Sequence, residues 1–230
     1  MSAASYPSKL AKITWQDPQS GATQEYVLTE NATASIGRLE TNDICIREQH
    51  VSRQHAVISS RDGAFVISDL GSANGVFVND QRVEEPVTLQ SGDAIRLFVP
   101  VLHFSQVVSD EDRRDAAEQG TLITAIPSTG KGRLIITNGP QEGSVIPLLL
   151  QSVTVGRAVN KAEWEICLQD VAVSRPHARL ELVDHDWLIT DLESANGTLV
   201  NGAAIRGRGR ALRDGDVITF GTTFALFRGG

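Results

Sequence analysis

Residues 35–79 read SIGRLETNDICIREQHVSRQHAVISSRDGAFVISDLGSANGVFVN, and residues 154–201 read TVGRAVNKAEWEICLQDVAVSRPHARLELVDHDWLITDLESANGTLVN. Both stretches contain the same polar motifs in the same order: Gly-Arg, then Ser-Arg-x-His, then Ser-Ala-Asn-Gly. The last two motifs lie 122 residues apart in the two copies, whereas the Gly-Arg pairs lie 119 apart, so the second copy has a three-residue insertion. A repeat of this length indicates two complete domains rather than the short units of a solenoid.

The repeat divides the chain into four segments. We expect a tail at 1–9, a first domain at 10–106, a linker at 107–131 and a second domain at 132–230. The linker contains a charge cluster followed by Thr, Ser, Gly and Pro, without a sustained helical or strand period, which is typical of a flexible connection.

Short runs with a period of two recur in each copy, such as HAVIS, AFVIS and AIRLF in the first and HARLELV, WLITDL and VITF in the second. Such runs, interrupted by Gly, Asn and Asp, predict short β-strands. The Asn-Gly pairs at 74–75, 196–197 and 201–202, and Asn-Asp at 79–80, are typical of turns that close β-hairpins. The sequence therefore predicts an all-β protein with two tandem β-sandwich domains joined by a flexible linker.

Charge and composition limit the class of partner. The 230 residues carry a formal net charge of −7, which disfavours a general nucleic-acid or membrane-surface role. No apolar run approaches the roughly 18 residues of a membrane span, and the first residues do not resemble a secretory signal. The arginines of IRGRGRALRDG lack interleaved aromatic residues and are predicted to lie in a loop rather than to bind RNA. We expect a cytoplasmic protein.

Cysteine and metal chemistry are not expected to contribute. Cys45 and Cys167 occupy equivalent positions in ICI and ICL, which predicts buried strand residues of different domains and no disulfide between them. Two cysteines are too few for a cysteine-rich zinc site, and no cofactor is expected.

The three motifs, in register twice, resemble the forkhead-associated (FHA) family of phosphothreonine-binding domains, over roughly residues 10–106 and 132–228. The resemblance implies β-sandwiches whose loops at one end bind a phosphothreonine on an extended peptide. It also implies that Asn74 and Asn196 clamp the peptide backbone and that His55 and His177 brace the binding loops.

The chemistry of phosphothreonine suits the charged and polar residues of these motifs. The group adds a charge of about −1.5 to −2 and three acceptor oxygens, so its pocket needs charge-assisted donors. Arg38 and Arg157 offer a planar fork of donors, and the preceding Gly37 and Gly156 are expected to keep each turn tight.

The serine motif supplies further donors. The hydroxyls of Ser52 and Ser174 can donate to the phosphate, or can bond their own backbone in a turn. Arg53 and Arg175 can add a second cation, or can serve packing or ion pairs. Both alternatives remain open at this point.

The glycines of the third motif, Gly75 and Gly197, are expected to support the binding loops. Asn79 and Asn201 are expected to be hairpin turns only.

A catalytic role is not favoured, although each histidine follows a serine by three residues. Nucleophilic catalysis needs a base oriented by a third group and an oxyanion hole, and neither is evident near these motifs. We therefore expect a protein that is not an enzyme.

One departure from the family pattern weakens the phosphate interpretation. The family commonly has Thr before Asn-Gly, where this chain has Ala73 and Ala195. A lost hydrogen bond to a charged group costs about 1.5 to 3 kcal/mol, and backbone N–H groups of the same loop are expected to compensate in part. The alternative hypothesis is a phosphate-independent scaffold with degenerate pockets.

The favoured hypothesis is a phosphothreonine-peptide-binding adaptor in Ser/Thr kinase signalling, whose partners include a kinase or its substrates. A further hypothesis places a kinase target among Thr121, Thr124 and Thr129 of the linker. Capture of that phosphothreonine by a domain of the same or a neighbouring chain would give self-association.

Overall fold

A computed structural model of the protein describes residues 10–29, 32–107, 132–159, 162–205 and 209–229. Within these ranges the chain forms strands, turns and loops, and no helix is long and apolar enough to cross a membrane. The described strands fall into two compact units, one containing β1–β11 and the other β12–β22. The prediction of an all-β protein with two sandwich domains is confirmed.

The first domain consists of two sheets. Its strands are Leu10–Gln16 (β1), Thr23–Thr29 (β2), Thr33–Gly37 (β3), Ile44–Cys45 (β4), Ala56–Arg61 (β5), Ala64–Asp69 (β6), Phe77–Val78 (β7), Gln81–Arg82 (β8), Val87–Thr88 (β9), Ala94–Arg96 (β10) and Val101–Val107 (β11). One sheet has the order β2-β1-β11-β10-β7-β8 and the other the order β4-β3-β5-β6-β9.

The second domain repeats this arrangement. Its strands are Arg133–Ile136 (β12), Val145–Pro147 (β13), Ser152–Arg157 (β14), Ile166–Leu168 (β15), Ala178–Val183 (β16), Asp186–Asp191 (β17), Thr198–Val200 (β18), Ala203–Ala204 (β19), Arg210–Ala211 (β20), Val217–Phe220 (β21) and Thr223–Arg228 (β22). The sheet orders are β13-β12-β22-β21-β18-β19 and β15-β14-β16-β17-β20. In each domain one short edge strand, β4 or β15, pairs in parallel with its neighbour.

A separate hydrophobic core fills each sandwich. In the first domain Phe65 of one sheet packs against Phe104 of the other, with ring centroids 5.7 Å apart. In the second domain Leu180, Ile189 and Phe227 are among the fully or almost fully buried residues of the core. These cores fix the strand ends, and therefore the loops that follow them.

Two of the predictions of hairpin turns are wrong. The Asn-Gly pairs at 74–75 and 196–197 lie in the connections β6–β7 and β17–β18, whose flanking strands belong to different sheets. A turn that passes between sheets cannot close a hairpin, because its flanking strands do not pair. Asn79 and Asn201 do close hairpins, β7–β8 and β18–β19, with φ of 49° and 55°.

The cysteines lie on strands, as predicted, and both are free thiols in different domains. They are half-buried rather than buried, because β4 and β15 are edge strands. The linker residues 108–131, with Thr121, Thr124 and Thr129, lie outside the described residues, as do Arg206 and Arg208.

Candidate functional site

The three motifs meet at one end of each sandwich. In the first domain Gly-Arg lies at the end of β3, Ser-Arg-x-His precedes β5, and Asn-Gly follows β6. Because β5 runs antiparallel to both β3 and β6, the end of β3, the start of β5 and the end of β6 share one edge of the sheet.

Two hydrogen bonds join the loops of the first domain at Ser52. The main-chain N–H of Arg38 donates to the carbonyl oxygen of Ser52 at 3.0 Å. The hydroxyl oxygen of Ser52 accepts the N–H of Ala73 at 3.1 Å. Because Oγ acts as an acceptor here, its own proton remains available for donation to a ligand.

A fully buried histidine joins the same loops from behind. Nδ1 of His55 accepts the N–H of Ser52 at 3.0 Å, so the neutral ring carries its proton on Nε2, which faces the carbonyl oxygen of Gly75 at 3.2 Å. Gly75 has φ +78°, a conformation that strongly favours glycine. His55 therefore holds the serine loop against the Asn-Gly loop.

The side chain of Asn74 connects the Asn-Gly loop to the segment before the serine motif. Nδ2 of Asn74 donates to the carbonyl oxygen of His50 at 2.7 Å. One Nδ2 proton and the Oδ1 acceptor take no part in this bond, so Asn74 can still offer a donor and an acceptor to an extended peptide.

The second domain repeats this hydrogen-bond set. The N–H of Arg157 donates to Ser174 O at 2.9 Å, and the N–H of Ala195 donates to Ser174 Oγ at 2.9 Å. His177 accepts from Ser174 N at 2.9 Å and faces Gly197 O at 3.3 Å. Nδ2 of Asn196 donates to Ala172 O at 2.8 Å.

The arginines of the Gly-Arg motif are available to an anion. The side chain of Arg38 is exposed, and Arg157 is half-buried with its NH1 group donating to the carbonyl oxygen of Val171 at 2.9 Å. Neither pairs with an acidic side chain within the described ranges. The next arginines along the chain, Arg53 and Arg175, are also exposed.

The glycines before these arginines do not act through a tight turn, and that expectation is wrong. Gly37 is the last residue of strand β3 and Gly156 the second-to-last residue of strand β14, and neither has a positive φ. A Cβ on Gly37 would lie 2.3 Å from the carbonyl oxygen of Arg53, and one on Gly156 would lie 2.7 Å from the indole of Trp164. Glycine is required because a neighbouring group approaches the backbone closely.

The expected compensation for Ala73 and Ala195 also fails in part. The N–H groups of these two residues are already bonded to Ser52 and Ser174. They are therefore not free to replace the threonine hydroxyl that both copies lack.

The sequence reasoning missed the groups that support the loops. Asp170 is buried and accepts hydrogen bonds from Ala172 N, from both N and Oγ1 of Thr222, and from Thr223 Oγ1. The aligned residue in the first domain, Glu48, instead accepts from N and Nδ1 of His50. The sequence did contain a signal for these supporting groups: an acidic residue lies four positions before the motif serine in both copies.

The first variable loop is also supported differently in the two domains. Nδ2 of the buried Asn42 donates to the carbonyl oxygens of Leu39 and Arg53, each at 2.8 Å. In the second domain the indole of Trp164 lies against Gly156. The second domain therefore has a packed ring at the position where the first domain has a hydrogen-bonded asparagine.

Burial and hydrogen bonding set the protonation of the site. Burial lowers the pKa of both His55 and His177 below the ordinary value of 6.5, so both are neutral near pH 7. Burial alone would raise the pKa of Asp191, but hydrogen bonds from Ser194 and Thr198 outweigh it and lower that pKa. The same balance lowers the pKa of Asp170, so both carboxylates stay ionised.

The part of the chain that the structure describes contains no group of three or more His, Cys, Asp or Glu side chains that could hold a metal ion. What the site offers is a guanidinium, a hydroxyl and an amide on loops that are hydrogen-bonded to one another. This set suits recognition of an oxyanion attached to a peptide.

Comparison with known proteins agrees with this architecture. The family described as FHA domain matches residues 34–98 and 153–221, more than half of the chain, and the chain belongs to this family. FHA domains are binding modules.

Individual relatives match one domain at a time. The chain is 48% identical over 66 residues to the transcriptional regulatory protein EmbR of Mycobacterium tuberculosis, covering 29% of this chain and 17% of EmbR. It is 36% identical over 94 residues to the FHA domain-containing protein FhaB of the same species, covering 40% of this chain and 59% of FhaB. The chain thus spans less than two thirds of either relative.

A solved structure of Mycobacterium tuberculosis EmbR, in complex with low affinity phosphopeptide, is 39% identical to this chain. The match covers 41% of this chain and 24% of that one, with a TM-score of 0.36.

Proposed function

We propose that the protein is an adaptor that binds phosphothreonine-containing segments of partner proteins through both FHA domains. The observation that supports this most directly is the repetition of one hydrogen-bond set in two sequences that differ elsewhere. In each domain these hydrogen bonds join the segments that carry an arginine, a serine hydroxyl and an asparagine amide.

Each of these groups has a role in the proposed complex. Arg38 or Arg157 contacts the phosphate oxygens, and the serine hydroxyl donates a second charge-assisted bond. The free donor and acceptor of the asparagine bind the peptide main chain. Arg53 and Arg175 lie next to the serines and add positive charge to the same face.

Two pockets on one chain fit a role in Ser/Thr kinase signalling. They can bind a doubly phosphorylated partner with avidity, or bring two phosphorylated proteins together. Self-association through a phosphorylated linker threonine is a second form of the same proposal. Kinase treatment followed by mass spectrometry tests it, and unmodified Thr121, Thr124 and Thr129 would reject it.

The alternative, a phosphate-independent scaffold, is supported by Ala73 and Ala195, whose N–H groups are used within the loops. The guanidinium of Arg38 favours the phosphate-dependent function, because it is exposed and pairs with no acidic side chain of the described residues, and a scaffold pocket has no need of such a cation.

Titration of the full chain with matched threonine and phosphothreonine peptide libraries distinguishes the two. We expect binding only to the phosphorylated library, weakened by added salt and by Arg38→Ala or Arg157→Ala, and abolished in the double variant. Arg179→Ala, an exposed arginine on β16, is the matched control and should bind as the wild type does. Equal binding to both libraries would support the scaffold instead.

A further inference from the structure

The end of the second domain that lies opposite the candidate phosphate site carries exposed apolar residues. Strand β14 runs from Ser152 to the Gly-Arg motif, so the loop before β14 lies at the far end of the sheet from that site. In this loop Leu149 is 63% exposed and Leu150 is 56% exposed. Val183, the last residue of β16, is 47% exposed. The proposed phosphopeptide contacts do not use this end of the sandwich.

These side chains are neighbours and form one apolar patch. Strands β14 and β16 are antiparallel, and beyond the end of β14 the N–H of Leu182 donates to the carbonyl oxygen of Gln151 at 2.8 Å. One residue further along the same register, Leu150 lies opposite Val183. The half-buried Leu182 packs against the hydrophobic core. The apolar patch consists of Leu149, Leu150, Leu182 and Val183.

The first domain has the same main-chain contact without the apolar side chains. There the N–H of Ser60 donates to the carbonyl oxygen of Ala32 at 3.1 Å. The residues aligned with the patch are all polar or charged: Glu30, Asn31, Ser60 and Arg61. Because the first domain forms the corresponding strands with these residues, the fold does not require apolar side chains here. Contiguous exposed apolar residues that a fold does not require indicate an interaction site.

The linker enters the second domain beside this patch. The carbonyl oxygen of Gly132 accepts the N–H of Leu148 at 2.9 Å, one residue before Leu149. Among residues 109–131 the large aliphatic side chains are those of Leu122, Ile123 and Ile126. Ile126 lies six residues before Gly132, and six extended residues span about 20 Å. The aliphatic part of the linker can therefore reach the patch.

We propose that the apolar patch binds residues 121–126 of the same chain, TLITAI, through their aliphatic side chains. A short tether gives this segment an effective concentration in the millimolar range, so a small contact area is sufficient. A separate protein, including a second copy of this chain, needs roughly 800 Å² on each partner for a stable interface. Four aliphatic side chains do not supply that area, which favours the tethered segment as the occupant.

The docking has a consequence that rests on the proposed function, although the docking itself does not. Thr121 and Thr124 belong to the docked segment, so a kinase has to compete with the patch for them. Phosphorylation of either threonine adds a charge of about −1.5 to −2 next to apolar side chains, which weakens the docking. The patch therefore favours the unmodified linker over the phosphorylated one.

Disulfide trapping in the full chain tests the docking without any phosphopeptide. Cys45→Ser and Cys167→Ser remove the native thiols. A cysteine is then introduced into the patch by Val183→Cys and, in turn, into the linker at Leu122, Ile123 or Ile126. In a glutathione buffer, we expect the intrachain disulfide to form about tenfold faster or more from at least one linker position than in the control, because docking raises the local concentration of the two thiols.

The matched control carries the second cysteine outside the patch. Val145→Cys lies on β13 at a valine that is 57% exposed. Val145 pairs with Ile135, three residues after Gly132, so it also lies near the point where the linker enters the domain. A linker that does not dock should react with cysteines at Val145 and Val183 at similar rates.

A second pair of substitutions tests whether the apolar side chains are responsible. Leu149→Glu with Leu150→Asn copies the aligned residues of the first domain. This change should lower the rate at Val183→Cys to that of the control. Both leucines are exposed, so the domain should remain folded, and thermal unfolding verifies this. If it is not folded, the comparison of Val183→Cys with Val145→Cys still decides.

The outcomes separate this inference from the proposed function. Similar rates at the patch and control positions for all three linker cysteines overturn the inference, as does a fast reaction that survives the leucine substitutions. Disulfides that join two chains, with a yield that rises with protein concentration, identify a second copy as the occupant and also overturn it. Because no phosphate is present, a failure of phosphopeptide binding rejects the proposed function and leaves the trapping result unchanged.

Discussion

The main-chain N–H of Ala73 donates to the hydroxyl oxygen of Ser52 at 3.1 Å, and the corresponding bond from Ala195 to Ser174 measures 2.9 Å. Each serine therefore has two tasks: its oxygen fixes the Asn-Gly loop, and its proton is left for a ligand. The same bond uses the loop N–H that would otherwise replace the missing threonine hydroxyl.

Replacing Ser52 tests both tasks. With the second pocket disabled by Arg157→Ala, Ser52→Ala should weaken phosphopeptide binding about ten- to a hundredfold, because a charge-assisted hydrogen bond is lost. Ser52→Thr keeps the hydroxyl and should retain most of the affinity. Isothermal titration calorimetry measures both. Equal affinities of the alanine variant and its parent would show that the hydroxyl does not contact the phosphate.

Replacing Asn196 should lower phosphopeptide affinity, whereas replacing Asn201 should lower the stability of the second domain. Asn196→Ala removes the amide that holds Ala172 and should lower phosphopeptide affinity in the Arg38→Ala background by about tenfold or more. Asn201→Ala removes the hairpin amide bonded to Asp216 and should lower the unfolding temperature with little change in affinity. The prediction fails if Asn201→Ala reduces affinity as much as Asn196→Ala.

The glycines before the two arginines should differ in their tolerance of a methyl group. Gly37→Ala drives its Cβ against a main-chain carbonyl, and overpacking of this kind costs about 1 to 3 kcal/mol. Gly156→Ala meets the side chain of Trp164, which can shift, so its cost should be smaller. Denaturant unfolding gives the free energy of each variant. A larger loss for Gly156→Ala would contradict this ranking.

Acidification should destabilise both domains through the buried histidines. Their folded pKa values are lowered, so below the unfolded value of 6.5 the unfolded chain binds protons that the folded chain does not. The stability that the two neutral histidines contribute is fully present above pH 6.5 and declines as pH falls through 6.5 toward the folded pKa values. Asp170 and Asp191 have lowered pKa values and lose their contributions only as pH falls below 3.8.

The measurement is thermal unfolding of the unliganded chain from about pH 8 to about pH 5, the range in which histidine is the main titrating side chain. Unliganded protein is required because the phosphate of phosphothreonine itself has a second pKa of about 6. An unfolding temperature that stays constant over this range would show that neither histidine is held neutral.

The buried carboxylate of Asp170 should matter more than its counterpart in the first domain. Asp170→Ala leaves two threonine hydroxyls and two N–H groups without their acceptor, and an unsatisfied buried polar group costs about 1 to 3 kcal/mol. Glu48→Ala is the matched control: that carboxylate is only half-buried and accepts from the N–H and the imidazole of His50, so its loss should cost less. Denaturant unfolding of the two variants decides the ranking.

Much of the fold could be predicted from local pattern. The runs HAVIS and AFVIS became β5 and β6 because alternating apolar residues match the two faces of a strand. The hairpins at Asn79 and Asn201 followed from residues that tolerate positive φ. The Asn-Gly pairs at 74–75 and 196–197 were misassigned because a local turn signal does not tell whether the next strand joins the same sheet.

The candidate site residues could also be identified from the sequence, because the same residue types recur in both copies. Their interactions could not be identified in this way. That Ser52 accepts from Ala73, that Asn74 holds His50, and that Phe98 stacks on His50 depend on residues 21 to 48 positions apart coming together. The same holds for Asp170, whose acceptor role depends on Thr222 and Thr223 at the far end of the domain.

Periodicity and duplication in the sequence by themselves determined two β-sandwiches and the residue types at the ends of their strands, because strand alternation and turn chemistry are local properties. Only the tertiary structure decided which groups of the site residues are left for a ligand, what a side chain at Gly37 or Gly156 would meet, and how the two pockets differ. Those properties depend on atoms that become neighbours only when separate loops are brought to one edge by the packing of two sheets.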